Sequence, residues 1–127
     1  MNINNKEIKC LDWSSKNELK YLNKIDIGLM PLPNNQWTKG KCGLKIIQYL
    51  SVGIPSVVSN VGINSEIIIN GKNGYLVNNK SEWKIYIKKF LKNPKIVSKM
   101  GLNGRKIVEK NFSDFAIINK LSKILRI

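Results

Sequence analysis

The sequence predicts an α/β layer fold in which helices flank a mostly parallel sheet of about four strands. Short apolar runs alternate with segments of helical periodicity, and the last third of the chain is helical throughout. Two of the apolar runs are nearly continuous, as expected for strands that are buried on both faces. Because a doubly wound domain usually has more strands, we expect a partial Rossmann-like sheet.

Four segments are predicted as strands: residues 6–11, 25–30, 54–59 and 75–77. The first alternates polar and apolar residues, whereas the second and third are mostly apolar. Pro55 is compatible with the third strand only because it lies near the strand start. Polar loops rich in turn-forming residues are expected at 34–41 and 60–64. Gly62 is predicted to lie in a turn, and Glu66 in the first turn of the helix that follows, where the helix dipole favours a carboxylate.

The first predicted helix is capped by Ser14 or Ser15 and ends near Asn23. Glu18 stands three residues after Ser15, a spacing that predicts a capping box. Gly53 is placed to end a later helix, and Pro94 is placed to begin another. The further predicted helices are 42–52, 65–69, 81–92, 94–110 and 114–127.

Composition limits the function classes. The chain has 127 residues, two cysteines and no histidine, which excludes a Ser-His-Asp hydrolase and the usual zinc sites. No apolar run approaches the ~20 residues of a membrane-spanning helix. The polar N-terminal segment does not resemble a secretory signal, so a cytoplasmic location is expected.

The net charge of +14 has two interpretations. A basic chain can bind nucleic acid or an anionic membrane. Almost all the positive charge is lysine, however, in a chain that is also rich in Asn and Ile, which points to compositional bias. Nucleic-acid readers favour Arg and exposed aromatic residues. We therefore expect no nucleic-acid partner, while peripheral association with the inner membrane face stays open.

One loop has the composition of an anion site. Gly40, Lys41, Gly43 and Lys45 surround the predicted start of a helix, where free backbone N–H groups and the helix dipole favour phosphate. We expect this segment at the carboxyl edge of the sheet, with the Gly43 amide open to solvent. Gln48 lies about one turn further on the same side and could bind a sugar or ribose hydroxyl. A loop bracketed by glycines and carrying solvated lysines would have the same sequence, so spacing alone leaves both interpretations open.

A longer pattern favours the anion site. The segments IDIGLMPLP at 25–33, GKCGLKIIQYLSVGIPSVVSNVGINSEII at 40–68, NGKNGYLV at 70–77, MGLNGR at 100–105 and EKNFS at 109–113 follow one another at fitting distances. Together with Trp37 and Trp83 they resemble the family-4, or group 1, glycosyltransferases. Trp83 lies on an apolar helical stripe and is predicted to belong to the core, whereas Trp37, in the loop before the anion site, is predicted near the cleft. The resemblance covers essentially the whole chain and is far more specific than a single glycine motif.

The resemblance implies a GT-B fold of two Rossmann-like domains and a retaining sugar transfer that requires no metal or other cofactor. It identifies residues 1–127 as part of the C-terminal, donor-binding domain, with the N-terminal acceptor domain absent. It implies a nucleotide-diphosphate sugar as the ligand of Gly40, Lys41, Gly43, Leu44, Lys45 and Gln48. The Gly43 and Leu44 amides and Lys45 would stabilise the leaving diphosphate, and Gln48 would anchor the ribose.

Two departures from the family pattern matter. The family has two glutamates separated by seven residues, where this chain has Gly40 and Gln48. The basic residues that hold the diphosphate earlier in the domain are also missing. No catalytic residue is identified. Because a GT-B cleft is built by two domains, we expect the isolated chain to be inactive. Two alternatives to an inactive fragment stay open. Another chain could supply the N-terminal domain, or the chain could be a non-catalytic truncated or split-gene product that at most binds nucleotide.

Overall fold

A computed structural model describes residues 8–126. Its sheet has three strands, β1 (Gly28–Met30), β2 (Ser56–Ser59) and β3 (Gly74–Val77), in the order β1-β2-β3. Both pairings are parallel, with Met30 opposite Val58 and Ser59 opposite Val77. The predicted α/β layer with a parallel sheet is thus confirmed.

The strand predicted at 6–11 is wrong over the residues that can be judged. Ile8 to Leu11 have no regular structure and are exposed, whereas Lys6 and Glu7 lie outside the described residues. A strand forms only where its backbone groups pair with another strand. Local alternation of polar and apolar residues does not specify that partner. The pattern therefore predicted a strand here that does not form.

Seven helices surround the sheet in the described part of the chain. They are α1 (Ser15–Leu22), α2 (Gln36–Lys39), α3 (Leu44–Ser51), α4 (Asn64–Ile67), α5 (Lys80–Lys92), α6 (Pro94–Asn111) and α7 (Asp114–Leu125). Six of them were predicted to within a few residues. The exception is α2, which forms inside the predicted loop because Asn35 and Thr38 make a reciprocal capping box.

Ser14, one of the two predicted caps, caps α1, but the predicted capping box with Glu18 does not form. Ser14 is the N-cap, and its hydroxyl accepts a hydrogen bond from the Asn17 amide. Asn17 therefore occupies the position that the predicted capping box assigned to Glu18. Glu18 lies one residue further along the helix, and its side chain makes a different contact, described below.

The core has two parts, one on each face of the sheet, because Val57 and Val58 of β2 point to opposite sides. On one side Val58 packs with α3 and α4 residues, including Leu50 and Ile67. On the other side Val57 packs with Tyr75 and with residues of α5 and α6. These include Phe90 and, more peripherally, Trp83, the tryptophan predicted to belong to the core. Helix α6 contributes to both clusters and so joins the two faces.

Candidate functional site

An open cavity of about 450 Å³ lies at the carboxyl end of β1. Met30, the last residue of that strand, lines it together with Gly40, Cys42 and the first turn of α3. Every residue of the predicted anion site lines this cavity: Gly40, Lys41, Gly43, Leu44, Lys45 and Gln48. Ligands of open α/β sheets bind at this edge, so the cavity has the expected position.

The start of α3 leaves backbone N–H groups without a partner. Gly43 is the N-cap with φ +70, and no side chain caps the helix. The predicted helix began at Cys42, but this left-handed conformation at Gly43 delays the start to Leu44. Within residues 8–126 no hydrogen bond is found to the backbone amides of Leu44 and Lys45. These N–H groups and the helix dipole therefore remain available to a negatively charged group.

Burial at this helix end differs in part from the expectation of an open Gly43. Gly43 as a residue is buried, whereas Lys41, Leu44 and Lys45 are exposed. The burial comes from α4, because a Cβ atom at Gly43 would stand 2.5 Å from Ile67 Cδ1. One side of the helix start thus packs on the core, and the lysine-bearing side faces the cavity.

The loop after β2 supports the same region. Gly62 has φ +55, and a Cβ atom there would stand 2.7 Å from the Lys39 carbonyl oxygen. Only glycine allows the loop to approach the end of α2 so closely. This confirms the turn predicted at Gly62 and brings the loop against the residues that precede Gly40. Glu66 lies in the first turn of α4, as predicted.

The charge around the cavity is positive. Among the described residues the one ion pair joins Arg105 and Glu109 on α6, so neither Lys41 nor Lys45 is neutralised by an acidic partner. Exposed lysines of this kind attract phosphate as mobile point charges. Residues 8–126 contain no cluster of His, Cys, Asp or Glu that could hold a metal ion.

Gln48 makes a contact that the sequence did not predict. Its side-chain Nε2 donates a hydrogen bond of 2.7 Å to Oε1 of Glu18 on α1, 30 residues earlier in the chain. Met30 and Cys42 also line the cavity without having been predicted. A contact between two helices leaves no local signal in the sequence, so Glu18 could not be found from its spacing.

The tryptophan predicted near the cleft, Trp37, is 81% exposed and does not line the cavity. A second cavity of about 290 Å³ lies beyond the ends of the strands, between Leu32, Ser59, Val77 and Trp83. It is separate from the predicted anion site and is lined by several asparagines. The cavity at the start of α3 remains the one that combines glycines, lysines and free amides.

A parallel α/β layer with a ligand-sized cavity at a strand end is the architecture of a Rossmann-like binding domain. The sequence profile described as "Glycosyl transferases group 1" matches residues 3–107. The match covers most of the chain, and the chain therefore belongs to this family, which confirms the resemblance. No curated protein sequence matches it closely.

Solved structures share the fold. Sucrose-phosphate synthase of Thermosynechococcus elongatus superposes with a TM-score of 0.72 at 24% identity, covering 84% of this chain and 26% of that one. The C-terminal domain of the group 1 protein LpcC of Francisella tularensis gives 0.69 at 20%, covering 84% and 53%. HepE of Anabaena, in complex with UDP, gives 0.68 at 18%, covering 84% and 29%. This chain therefore spans about a quarter of the sucrose-phosphate synthase and HepE chains and about half of the solved LpcC domain.

Proposed function

We propose that the chain binds a nucleotide-diphosphate sugar and supplies donor-side residues of a glycosyltransferase. The observation that carries this proposal is the start of α3, where free amides and two unpaired lysines face an open cavity at the sheet edge. Family membership makes sugar transfer the reaction class. HepE has been determined with UDP and with UDP-glucose, which supports a ligand of this chemistry here.

In the proposed reaction the diphosphate is the leaving group. The amides of Gly43 and Leu44 lie where they could donate to its oxygens, and Lys45 adds charge that offsets the negative charge developing there. Gln48 binds the ribose. We take the transfer to be retaining and of the hexosyltransferase type, in glycan or polysaccharide synthesis, with no cofactor.

The acceptor side has to come from elsewhere. A GT-B cleft needs two domains, and the described residues contain one partial sheet whose β1 edge pairs with no further strand. We propose that an N-terminal domain, in cis or from another chain, completes the cleft. If none exists, the alternative is a non-catalytic product that at most binds nucleotide.

The two cysteines offer a direct test of ligand position. Cys42 lines the cavity and is exposed, whereas Cys10 is exposed elsewhere. In a Cys10→Ser variant, Cys42 is the sole thiol, and a bound ligand should slow its modification by an aromatic disulfide reagent several-fold. A Cys42→Ser variant, which reports Cys10 alone, should react at an unchanged rate.

The panel consists of uridine-, guanosine- and adenosine-diphosphate sugars, so that the protecting nucleotide also identifies the base. Equal Cys42 reaction rates with and without every member, at millimolar concentration, would contradict nucleotide-sugar binding at this cavity. Protection of both cysteines alike would also contradict it, because the ligand would then act away from the start of α3.

We also propose a peripheral membrane association through α7 and a cytoplasmic location. Phe115 and Ile124 are 76% and 75% exposed, and the same helix carries Lys120 and Lys123. Exposed apolar side chains beside lysines are typical of helices that lie on anionic bilayers. No helix of residues 8–126 is long and apolar enough to span a membrane. Sedimentation with anionic but not zwitterionic vesicles is expected, and it should be lost in Phe115→Ser/Ile124→Ser.

A further inference from the structure

Helix α1 is tied to the candidate site by a single polar contact. Within residues 8–126, and apart from bonds to the flanking residues 14 and 23–25, the one hydrogen bond of α1 to the rest of the chain runs from Gln48 Nε2 to Glu18 Oε1. Both side chains are half-buried, and α1 has no fully buried residue of its own. A well-formed polar bond of 2.7 Å at such a lightly packed helix must hold the two side chains in defined positions.

This contact determines which end of the Gln48 amide is left free for a ligand. A carboxylate can only accept hydrogen bonds, so the NH₂ group of Gln48 must point to Glu18. The carbonyl oxygen Oε1 of Gln48 is then directed away from Glu18. Because Gln48 also lines the cavity, this oxygen is the group that it can offer to a ligand.

We propose that Glu18 is a positioning residue that holds Gln48 as a hydrogen-bond acceptor for a ribose hydroxyl of the bound nucleotide. The inference rests on the proposed function and adds to it the residue that sets the polarity of Gln48. The pair divides two roles between two helices, because Glu18 carries the charge and Gln48 makes the ligand contact.

The same geometry explains why position 48 cannot simply become acidic. A carboxylate at 48 would meet the Glu18 carboxylate at hydrogen-bond distance with no proton between them, and like charges this close repel. An exchange of the two side chains would restore the pair. Glutamine at 18 would then donate its NH₂ group to a glutamate at 48, which would still present an oxygen to the cavity.

The test is calorimetric titration of the 127-residue chain and three variants, Glu18→Gln, Gln48→Glu and the double exchange, with UDP and with 2′,3′-dideoxy-UDP. We expect Glu18→Gln to weaken UDP about threefold to tenfold, the range for one hydrogen bond, and to reduce the preference for UDP over the dideoxy analogue. Gln48→Glu should weaken UDP at least as much, and the double exchange should return within about threefold of the parent. Glu109→Gln, which removes an exposed carboxylate on α6, is the control and should change neither ligand.

The outcomes separate the two proposals. If the parent chain binds UDP and prefers it to the dideoxy analogue, but Glu18→Gln leaves both affinities unchanged, the positioning role is overturned and the proposed function stands. An equal loss for both ligands would also overturn it, because a merely structural Glu18 would act on both alike. If the parent binds neither UDP nor the guanosine and adenosine diphosphates, the proposed function fails and this inference fails with it.

Discussion

Replacing Gly43 by alanine tests how the start of α3 is supported. The added Cβ has two separable costs. At φ +70 an alanine backbone is strained by about 1–2 kcal/mol. The new methyl would also stand 2.5 Å from Cδ1 of Ile67, a side chain that is 1% exposed and packed in the core. Overpacking of that kind costs about 1–3 kcal/mol, so Gly43→Ala should lower the free energy of unfolding by about 2–5 kcal/mol.

The chain contains a matched control for the first cost. Gly71 has φ +78, but a Cβ there would meet nothing within 4 Å. Gly71→Ala should therefore lose about 1–2 kcal/mol from strain alone. Both substitutions restrict the unfolded chain equally, so that contribution cancels in the comparison.

A second substitution isolates the clash. Ile67→Val removes the one atom, Cδ1, that lies closest to the new methyl, and by itself should cost about 0.5–1.5 kcal/mol. In the Ile67→Val background, the cost of Gly43→Ala should fall toward that of Gly71→Ala. A remainder is expected, because the new methyl would still stand 3.2 Å from Ile63 Cγ2. The assay is urea unfolding at 25 °C with linear extrapolation. If Gly43→Ala costs the same as Gly71→Ala, or if Ile67→Val gives no relief, the helix start does not pack on α4 as described.

Three further results are expected. Lys45→Ala should weaken nucleotide-diphosphate binding by about 1–3 kcal/mol in titration, whereas Lys99→Ala, which removes an exposed lysine elsewhere, should not. Equal effects of the two substitutions would mean that Lys45 does not contact the diphosphate. The purified chain should transfer no sugar from any nucleotide-diphosphate sugar in a product assay, because donor and acceptor must be held together by two domains. Any turnover would show that the residues of this chain alone are enough for transfer. Burial raises the pKa of Tyr49 above its ordinary 10.0, so the unfolded chain loses that proton first and stability falls as the pH rises beyond about 10. Tyr49→Phe should reduce this fall in urea unfolding at pH 9 to 11, and an identical pH profile would contradict it.

Much of the fold was readable from local pattern. The strands at Gly28–Met30, Ser56–Ser59 and Gly74–Val77 lie inside or next to predicted runs, and the helices after residue 80 begin and end close to their predicted bounds. These features depend on periodicity, caps and breakers, which act over a few residues. The family resemblance came from the sequence as well, since it depends on the order and spacing of its motifs.

The composition of the cavity was also readable, because glycines and lysines at a helix start are contiguous in the chain. Gly40 to Lys45 and Gln48 line one cavity, as their spacing predicted. Their role with a ligand stays a prediction. The small helix α2 was missed, since its Asn35–Thr38 capping box lies within a stretch that reads as turn formers.

Tertiary structure decided the rest. Residues 8–11 have no regular structure, because a strand forms only beside a second strand and the local sequence pattern does not specify which segment that is. Tertiary structure buried Gly43 against Ile67, and it placed Glu18 on Gln48 across 30 residues of chain. The physical reason is common to all three. Composition and periodicity describe what a segment can form by itself, whereas strand pairing, burial and contacts between helices depend on which distant segment folding places beside it.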